Sequence, residues 1–125
     1  MTHSFSYIQR LHQPAEFQSV LDAKGLVNKW LVIHSQINHR NLDRLGIIVS
    51  KRVVAKAVSR NRLKRLIREV FRQSLTVEAN PGLDIVVRVK RKLSKEETPE
   101  FIQALKNLLL KVRMIKNDAS VAINY

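Results

Sequence analysis

Hydrophobic and polar positions repeat along this chain with two periods, one typical of helices and one typical of strands. From Ser59 to Arg72 (SRNRLKRLIREVFR), apolar residues recur three and four positions apart, as on the buried face of a helix. These apolar residues are Leu63, Leu66, Ile67, Val70 and Phe71. The opposite side, at about 100° per residue, is mostly cationic: Asn61, Arg62, Lys64, Arg65, Arg68 and Arg72. The spacing predicts an amphipathic helix with a basic outer face.

Two further helices are predicted towards the ends of the chain. The first begins at Pro14, which suits a first helical position, and Gly25 is expected to terminate it in a left-handed conformation. The last begins at Thr98 and Pro99. Its apolar residues keep a regular helical spacing: Phe101, Leu105, Leu108, Val112 and Ile115. This stripe packs on the protein's own core or forms a seam with a partner helix.

Three apolar runs, at 30–35, 45–50 and 83–90, predict strands, with a short extra strand near residues 26 and 27. The first two runs are expected to form a hairpin. In the last strand, alternation places Val86, Arg88 and Lys90 on one face of the sheet. The same alternation adds residues from the other strands to that face: Val32, His34, Ile48, Ser50 and Arg52. Such a mixed face suits an extended single strand of nucleic acid, or it is an ordinary solvated sheet face.

Charge narrows the choice of partner. The 125 residues carry 23 Lys and Arg against 10 Asp and Glu, a net charge of +13. From Lys51 to Arg72 there are 9 basic residues and one acid, so the charge is localised. A basic patch on a folded domain is typical of phosphate binding. A membrane surface is the rival anionic partner, but the apolar face of the basic helix is expected to be committed to a core.

Length and composition predict a single domain over residues 1–125, with an ordered core at 10–116 and flexible tails. The chain has no cysteine, which excludes disulfides, thiol nucleophiles and zinc–thiolate sites. It also has no long apolar run or signal-peptide pattern, and we expect a cytoplasmic protein that binds no membrane.

A self-sufficient nuclease is disfavoured, because cleavage with metal ions needs clustered carboxylates and the acids here are scattered. Glu96, Glu97 and Glu100 do cluster, but they begin the last helix, where acids suit the helix dipole. The four histidines show no metal-ligand spacing. We therefore expect no catalytic residue and no metal ligand in this chain.

The segment from Gly46 to Arg72 closely resembles the signature of the bacterial ribonuclease P protein subunit. The arginine-asparagine-arginine motif of that family matches Arg60, Asn61 and Arg62. Segments 10–21 and 82–90 are similar to the first helix and a strand of the family. The resemblance implies an α/β (α+β) two-layer sandwich in the order αβββαβα, with three helices, a mixed sheet of about four strands and a left-handed βαβ crossover. The handedness comes from the resemblance alone.

The resemblance also implies roles for individual residues. The motif helix of the family touches the catalytic RNA, and the matching positions are Arg60, Asn61, Arg62, Lys64, Arg65 and Arg68. The 5′ leader of precursor tRNA runs through a cleft between the first helix and the sheet. The residues expected there are Phe17, Val20, Val32, His34, Ser50, Lys51, Arg52, Arg88 and Lys90. Leu21 and His34 stand where aromatic residues occur in family members, and Phe17 has core packing as its alternative role.

By this resemblance the chain is a subunit of an endoribonuclease that removes the 5′ leader from precursor tRNA. Catalysis and Mg²⁺ are expected in the RNA subunit, with no ion bound tightly by this chain. The expected partners are the catalytic RNA and precursor tRNA, without an obligate protein partner. The alternative is a structural RNA-binding protein of the ribosomal type, which shares the basic charge but needs no leader cleft.

Overall fold

A computed structural model describes residues 10–73 and 82–123, with side chains as far as residue 115. The helices are α1 (Pro14–Leu21), α2 (Ala57–Gln73) and α3 (Thr98–Ile123). The strands are β1 (Gly25–Val27), β2 (Leu31–Ile37), β3 (Arg44–Ile48) and β4 (Leu83–Val89). A single 3-10 turn, Lys95–Glu97, leads into α3. The predicted order αβββαβα and the short extra strand are confirmed. Residues 1–9 of the predicted tails lie outside the described part of the chain.

The four strands form one mixed sheet in the order β1-β2-β4-β3. Strand β4 is antiparallel to β2 and parallel to β3. The predicted hairpin of β2 and β3 is therefore wrong, because β4 lies between them. A parallel pair needs a crossover connection, which α2 supplies between β3 and β4. The handedness of this crossover remains a prediction of the resemblance.

The main sandwich packs α2 and α3 against one face of the sheet. Its core joins residues of all these elements, among them Ile33, Ile67, Val87 and Phe101. Trp30 meets Phe101 edge to face, with 5.9 Å between the ring centroids. Helix α1 covers part of the other face with a second, smaller cluster: Leu11, Val20 and Val86. The opposite sheet face is thus only partly covered, which leaves space for a cleft beside α1.

Two details of the helices differ from the sequence predictions. Helix α1 ends at Leu21, and Gly25 begins β1 with no positive φ. A Cβ atom at Gly25 would lie 2.6 Å from Cγ1 of Val32, so close strand packing requires the glycine there. In α3 the apolar stripe is buried as far as Val112, whereas Ile115 is 45% exposed. The core therefore ends before the last residue of the predicted stripe.

Candidate RNA interface

Helix α2 has a buried inner face and an outer face rich in cations, as its periodicity predicts. Leu63, Ile67 and Val70 are at most 7% exposed. The six residues predicted to contact the catalytic RNA are all exposed or partly exposed: Arg60, Asn61, Arg62, Lys64, Arg65 and Arg68. No acidic residue occupies the first turn, so no carboxylate of that turn neutralises the positive end of the helix dipole. The helix therefore presents an attractive surface to anions.

Arg68 lies close to two other guanidinium groups. Partial burial lowers the pKa of Arg68, and the positive charges of Arg10 and Arg65 lower it further. The backbone of Arg10 pairs with Leu45 at the edge of β3. Like charges repel in the free protein, and a phosphate between them would relieve that repulsion. Arg10 was not predicted as a contact, because no local pattern links it to a helix fifty residues away in the chain.

Arg60, the first arginine of the motif, is partly committed to the protein itself. Its Nη1 atom donates to the carbonyl oxygens of Val54 and Ala55, at 3.1 and 2.8 Å. These carbonyls belong to the loop between β3 and α2. Arg60 therefore fixes the backbone in front of the motif helix, while its Nε and Nη2 atoms have no partner among the described residues.

Arg44 has a different environment, because two carboxylates surround it. It donates from Nε and Nη2 to Asp84, at 2.8 and 2.7 Å, and from Nη1 to Glu16 at 2.8 Å. Asp84 raises the pKa of Arg44. The backbone N–H groups of Gln13 and His12, followed by Arg44, lower the pKa of Glu16 to about 2. This cluster ties α1, β3 and β4 together and is already neutralised within the protein.

Other cations are paired in the same way. Arg113 of α3 binds Asp43 in front of β3. Arg72, at the end of α2, binds Glu69 one turn earlier. Arg72 is therefore less available to RNA than the earlier arginines of α2, although it lies on the predicted basic face.

One face of the sheet brings together many residues predicted for the leader cleft. Val32 of β2 pairs with Arg88 of β4, and Arg88 pairs in turn with Ile48 of β3. In the neighbouring row, His34 pairs with Val86. Because paired residues share a face, the alternation is confirmed for Val32, His34, Ile48, Val86 and Arg88. Strand β3 ends at Ile48 and β4 at Val89, so Ser50, Arg52 and Lys90 lie beyond the strands whose alternation was to place them.

Helix α1 packs on this same sheet face, beside the residues predicted for the leader cleft. The Phe17 ring is half-buried and lies directly over Gly46, where a Cβ atom would come 2.4 Å from its Cε1 atom. Leu21 packs against the same small cluster and is also half-buried. Val20 is fully buried, so its side chain supports α1 and is not part of the accessible cleft surface.

His34, another residue predicted for the leader cleft, lies on this sheet face and is only 9% exposed. Its Nδ1 atom is 2.8 Å from the carbonyl oxygen of Ala23. Because a carbonyl only accepts, Nδ1 is the donor in this hydrogen bond. Nε2 is buried and has no hydrogen-bond partner among the described residues. Val32, 7% exposed, is nearly as inaccessible.

The exposed polar residues predicted for the leader cleft gather at one end of the sheet. Because β3 and β4 are parallel, their carboxyl ends meet there. The exposed residues at this end are Ser50, Lys51, Arg52, Arg88 and Lys90. The ammonium group of Lys90 donates to the carbonyl oxygen of Asn28 at 2.9 Å. Helix α2 follows the loop after β3, so its motif begins near the same end.

Within residues 10–73 and 82–123, no three His, Asp or Glu side chains are grouped so that they could hold a metal ion. None of the described helices has the length and apolarity needed to cross a membrane.

Comparison with known proteins agrees with these features. A sequence model of the Ribonuclease P family matches residues 5–113. The ribonuclease P protein component of Clostridium kluyveri is 36% identical over 111 residues, covering 87% of this chain and 98% of the relative. The ribonuclease P protein component of Pseudomonas putida is 36% identical over 126 aligned positions, covering 99% of this chain and 93% of the relative.

Solved structures give the same result. The RNase P protein of Thermotoga maritima, solved in complex with 1-(4-fluorophenyl)-2-thiourea, has a TM-score of 0.63 and 32% identity, covering 82% of this chain and 95% of its own. The RNase P protein of Staphylococcus aureus has a TM-score of 0.63 and 27% identity, covering 86% and 94%. With its four-stranded mixed sheet and the motif on α2, this chain belongs to the ribonuclease P protein family.

Proposed function

We propose that this chain is the protein subunit of a ribonuclease P holoenzyme and promotes removal of the 5′ leader from precursor tRNA. The catalytic RNA binds along the outer face of α2, and the leader occupies the cleft between α1 and the sheet. The observation that carries the proposal is the outer face of α2, where Arg65 and Arg68 lie one turn apart, neither forms an ion pair with a described residue, and the first turn holds no carboxylate. Such a cluster stabilises a bound phosphate more than it stabilises the free fold.

On the catalytic RNA side, the residues have different tasks. Arg65 and Arg68 supply guanidinium donors to phosphate oxygens, a pairing that is often bidentate. Arg62 and Lys64 add charge on either side. Arg60 holds the loop in front of the helix and offers its remaining donors, so that geometry and charge are both set before RNA arrives.

In the cleft, the leader meets both apolar and cationic groups. The half-exposed Phe17 ring can stack on one base, as aromatic side chains do on single strands. Arg88 and the exposed residues 50–52 lie where phosphates of the same strand would pass. The buried Val32, Val20 and His34 shape the cleft from beneath. A cleft with one aromatic wall favours weak selection among leader bases.

We place the chemical step in the RNA subunit, with Mg²⁺ bound there and none held tightly by this chain. The described carboxylates support this, because several are already neutralised by arginine. Asp84 and Glu16 bind Arg44, and Asp43 binds Arg113. A two-metal site needs several unpaired carboxylates around one point. The holoenzyme would act in the cytoplasm and need no further protein.

The test mixes purified protein, its cognate catalytic RNA and labelled precursor tRNA at low Mg²⁺. We expect leader cleavage only when protein and RNA are both present, and tighter binding of precursor than of mature tRNA. Cleavage by the protein alone would indicate a nuclease. RNA binding without any effect on cleavage would indicate a structural RNA-binding protein of the ribosomal type.

A further inference from the structure

A groove of about 480 Å³ lies on the flank of α2 turned away from Arg68. It is bounded by the loop in front of α2, the first turns of α2 and the segment between β4 and α3. Its apolar floor consists of Val54, Leu63, Leu66 and Leu93. The volume is within the roughly 300–1,000 Å³ of pockets that hold small molecules. Of the residues proposed above to contact RNA, only Arg62 also lines this groove.

Four cations line the rim of the groove, and all four are exposed: Lys56, Arg62, Lys92 and Lys95. No described residue forms an ion pair with any of them. No carboxylate lines the groove. Glu97, close by in the chain, accepts from the backbone N–H of Ser94 at 3.1 Å and pairs with Lys29 and Arg91 outside the groove. The rim therefore has an uncompensated positive charge.

We propose that this groove receives one unpaired nucleotide of the catalytic RNA, with its base on the leucine floor and its flanking phosphates on the rim. An apolar floor with cations at its rim matches a nucleotide, because the flat faces of a base are apolar and its phosphates are anionic. Ser59 adds a hydroxyl group for a base edge or the ribose, whereas the hydroxyls of Ser94 and Thr98 already donate to Glu97 and to the Ser94 carbonyl oxygen. This inference rests on the proposed function and adds to it a second contact between this chain and the catalytic RNA.

The catalytic RNA is favoured over the leader because of where the groove lies. It adjoins α2 and the start of α3, whereas the leader cleft lies on the opposite face of the sheet beside α1. Arg62 belongs both to the groove and to the motif helix. A second copy of this chain is disfavoured as occupant, because each copy carries a charge of +13.

The first test removes positive charge from the side of the groove formed by the segment between β4 and α3. Lys92→Ala with Lys95→Ala is expected to weaken binding of the catalytic RNA about fivefold at low salt, since exposed phosphate contacts are individually modest. The matched control is Lys106→Ala with Lys111→Ala, which removes two exposed lysines of α3 outside the groove. The control is expected to bind as the parent does. All four lysines are exposed, and melting curves check that both variants fold.

The second test uses the absence of cysteine, which lets one introduced thiol carry a single label. A benzophenone on Ser94→Cys, at the groove, is expected to crosslink to one unpaired position of the catalytic RNA in the assembled holoenzyme. The same label on Gln103→Cys, exposed on α3, is the control and is expected to give no such product.

Equal binding by the two lysine variants would overturn the inference, as would a Ser94→Cys crosslink to precursor tRNA, to protein or to no single position. The proposed function is checked in parallel with Arg65→Ala plus Arg68→Ala. If that variant loses affinity while the groove variant does not, only the groove is wrong. If neither loses affinity, the proposed interface on α2 fails as well.

Discussion

Arg44 and Arg68 are the same residue type in opposite environments. Arg44 is half-buried between Asp84 and Glu16, and its carboxylate partners raise its pKa. Arg68 is partly buried near Arg10 and Arg65, and burial with like charge lowers its pKa. The first arrangement stabilises the folded chain. The second destabilises it slightly and becomes favourable only when an anion is bound.

The difference shows how one basic protein divides its cations between folding and binding. Arginines that face carboxylates across elements, such as Arg44 and Arg113, hold the fold together. Arg65 and Arg68, on the outer face of α2, form no ion pair with a described residue, and these are the arginines that we propose bind RNA. Net charge alone does not separate the two classes, but the partner of each guanidinium group does.

The largest effect is expected for Arg44→Met, which breaks the paired side of this comparison. Asp84, with a side chain only 5% exposed, would lose its cation, and a buried charge left without its partner costs about 3 to 5 kcal/mol. Urea denaturation measures the free energy of unfolding. Arg72→Met, which breaks a surface pair, is the control and is expected to cost under about 1 kcal/mol. Similar losses in both variants would show that burial does not distinguish them.

The unpaired side is tested by replacing Arg65 and Arg68 together with Ala. Binding of the catalytic RNA is expected to weaken by roughly 2 to 4 kcal/mol at low salt, because charged hydrogen bonds to phosphate are lost. The salt dependence should become shallower by about 0.7 to 0.9 per lost contact. Titrations at several salt concentrations measure both. Stability should not fall, and a large drop in melting temperature would contradict the assignment of these arginines to binding.

The comparison extends to two neighbouring residues of α1. Glu16 faces the paired cluster, whereas Phe17 faces the cleft. If Phe17 stacks on a leader base, Phe17→Ala weakens precursor tRNA binding by roughly 1 to 3 kcal/mol and leaves mature tRNA binding nearly unchanged. Val20→Ala is the control, since Val20 is fully buried and its loss should lower stability without such a preference. Lower stability of Phe17→Ala with equal effects on both tRNAs would assign Phe17 to the core.

The smallest effect is expected for Arg60→Lys, which tests whether Arg60 acts through its hydrogen-bond geometry or only through its charge. Arg60→Lys loses the geometry in which one guanidinium nitrogen donates to two loop carbonyls, and is expected to cost about 1 to 2 kcal/mol in holoenzyme assembly. Lys64→Arg keeps the net charge and is expected to change little. Assembly affinity and amide hydrogen exchange in residues 50–56 are the measurements. If Arg60→Lys and Lys64→Arg have equal, negligible effects, only the charge of Arg60 matters for assembly.

Local periodicity was sufficient to predict the amphipathic α2, the start of α3 and the shared face of Val32, Arg88 and Ile48. These features depend on neighbours a few residues apart. The candidate contacts on α2 were predictable for the same reason, because one helix presents all of them.

Features set by distant pairing were not predictable in this way. The strand alternation of β2 and β3 is compatible with a hairpin, and only the insertion of β4 excludes it. The role of Arg44 depends on Asp84, forty residues later in the chain. The burial of Val20 and His34 depends on how closely α1 approaches the sheet, which no run of residues encodes.

The contact between Phe17 and Gly46 has a consequence for how the sequence can vary. A methyl group at position 46 would lie 2.4 Å from Cε1 and 2.7 Å from Cζ of the ring, far inside contact distance. Any larger residue there would force the ring out of the cleft or lift α1 from the sheet. We therefore expect the two positions to change together among relatives, with a bulky ring at one tolerated only beside glycine at the other. A smaller side chain at position 17 should in turn rescue Gly46→Ala.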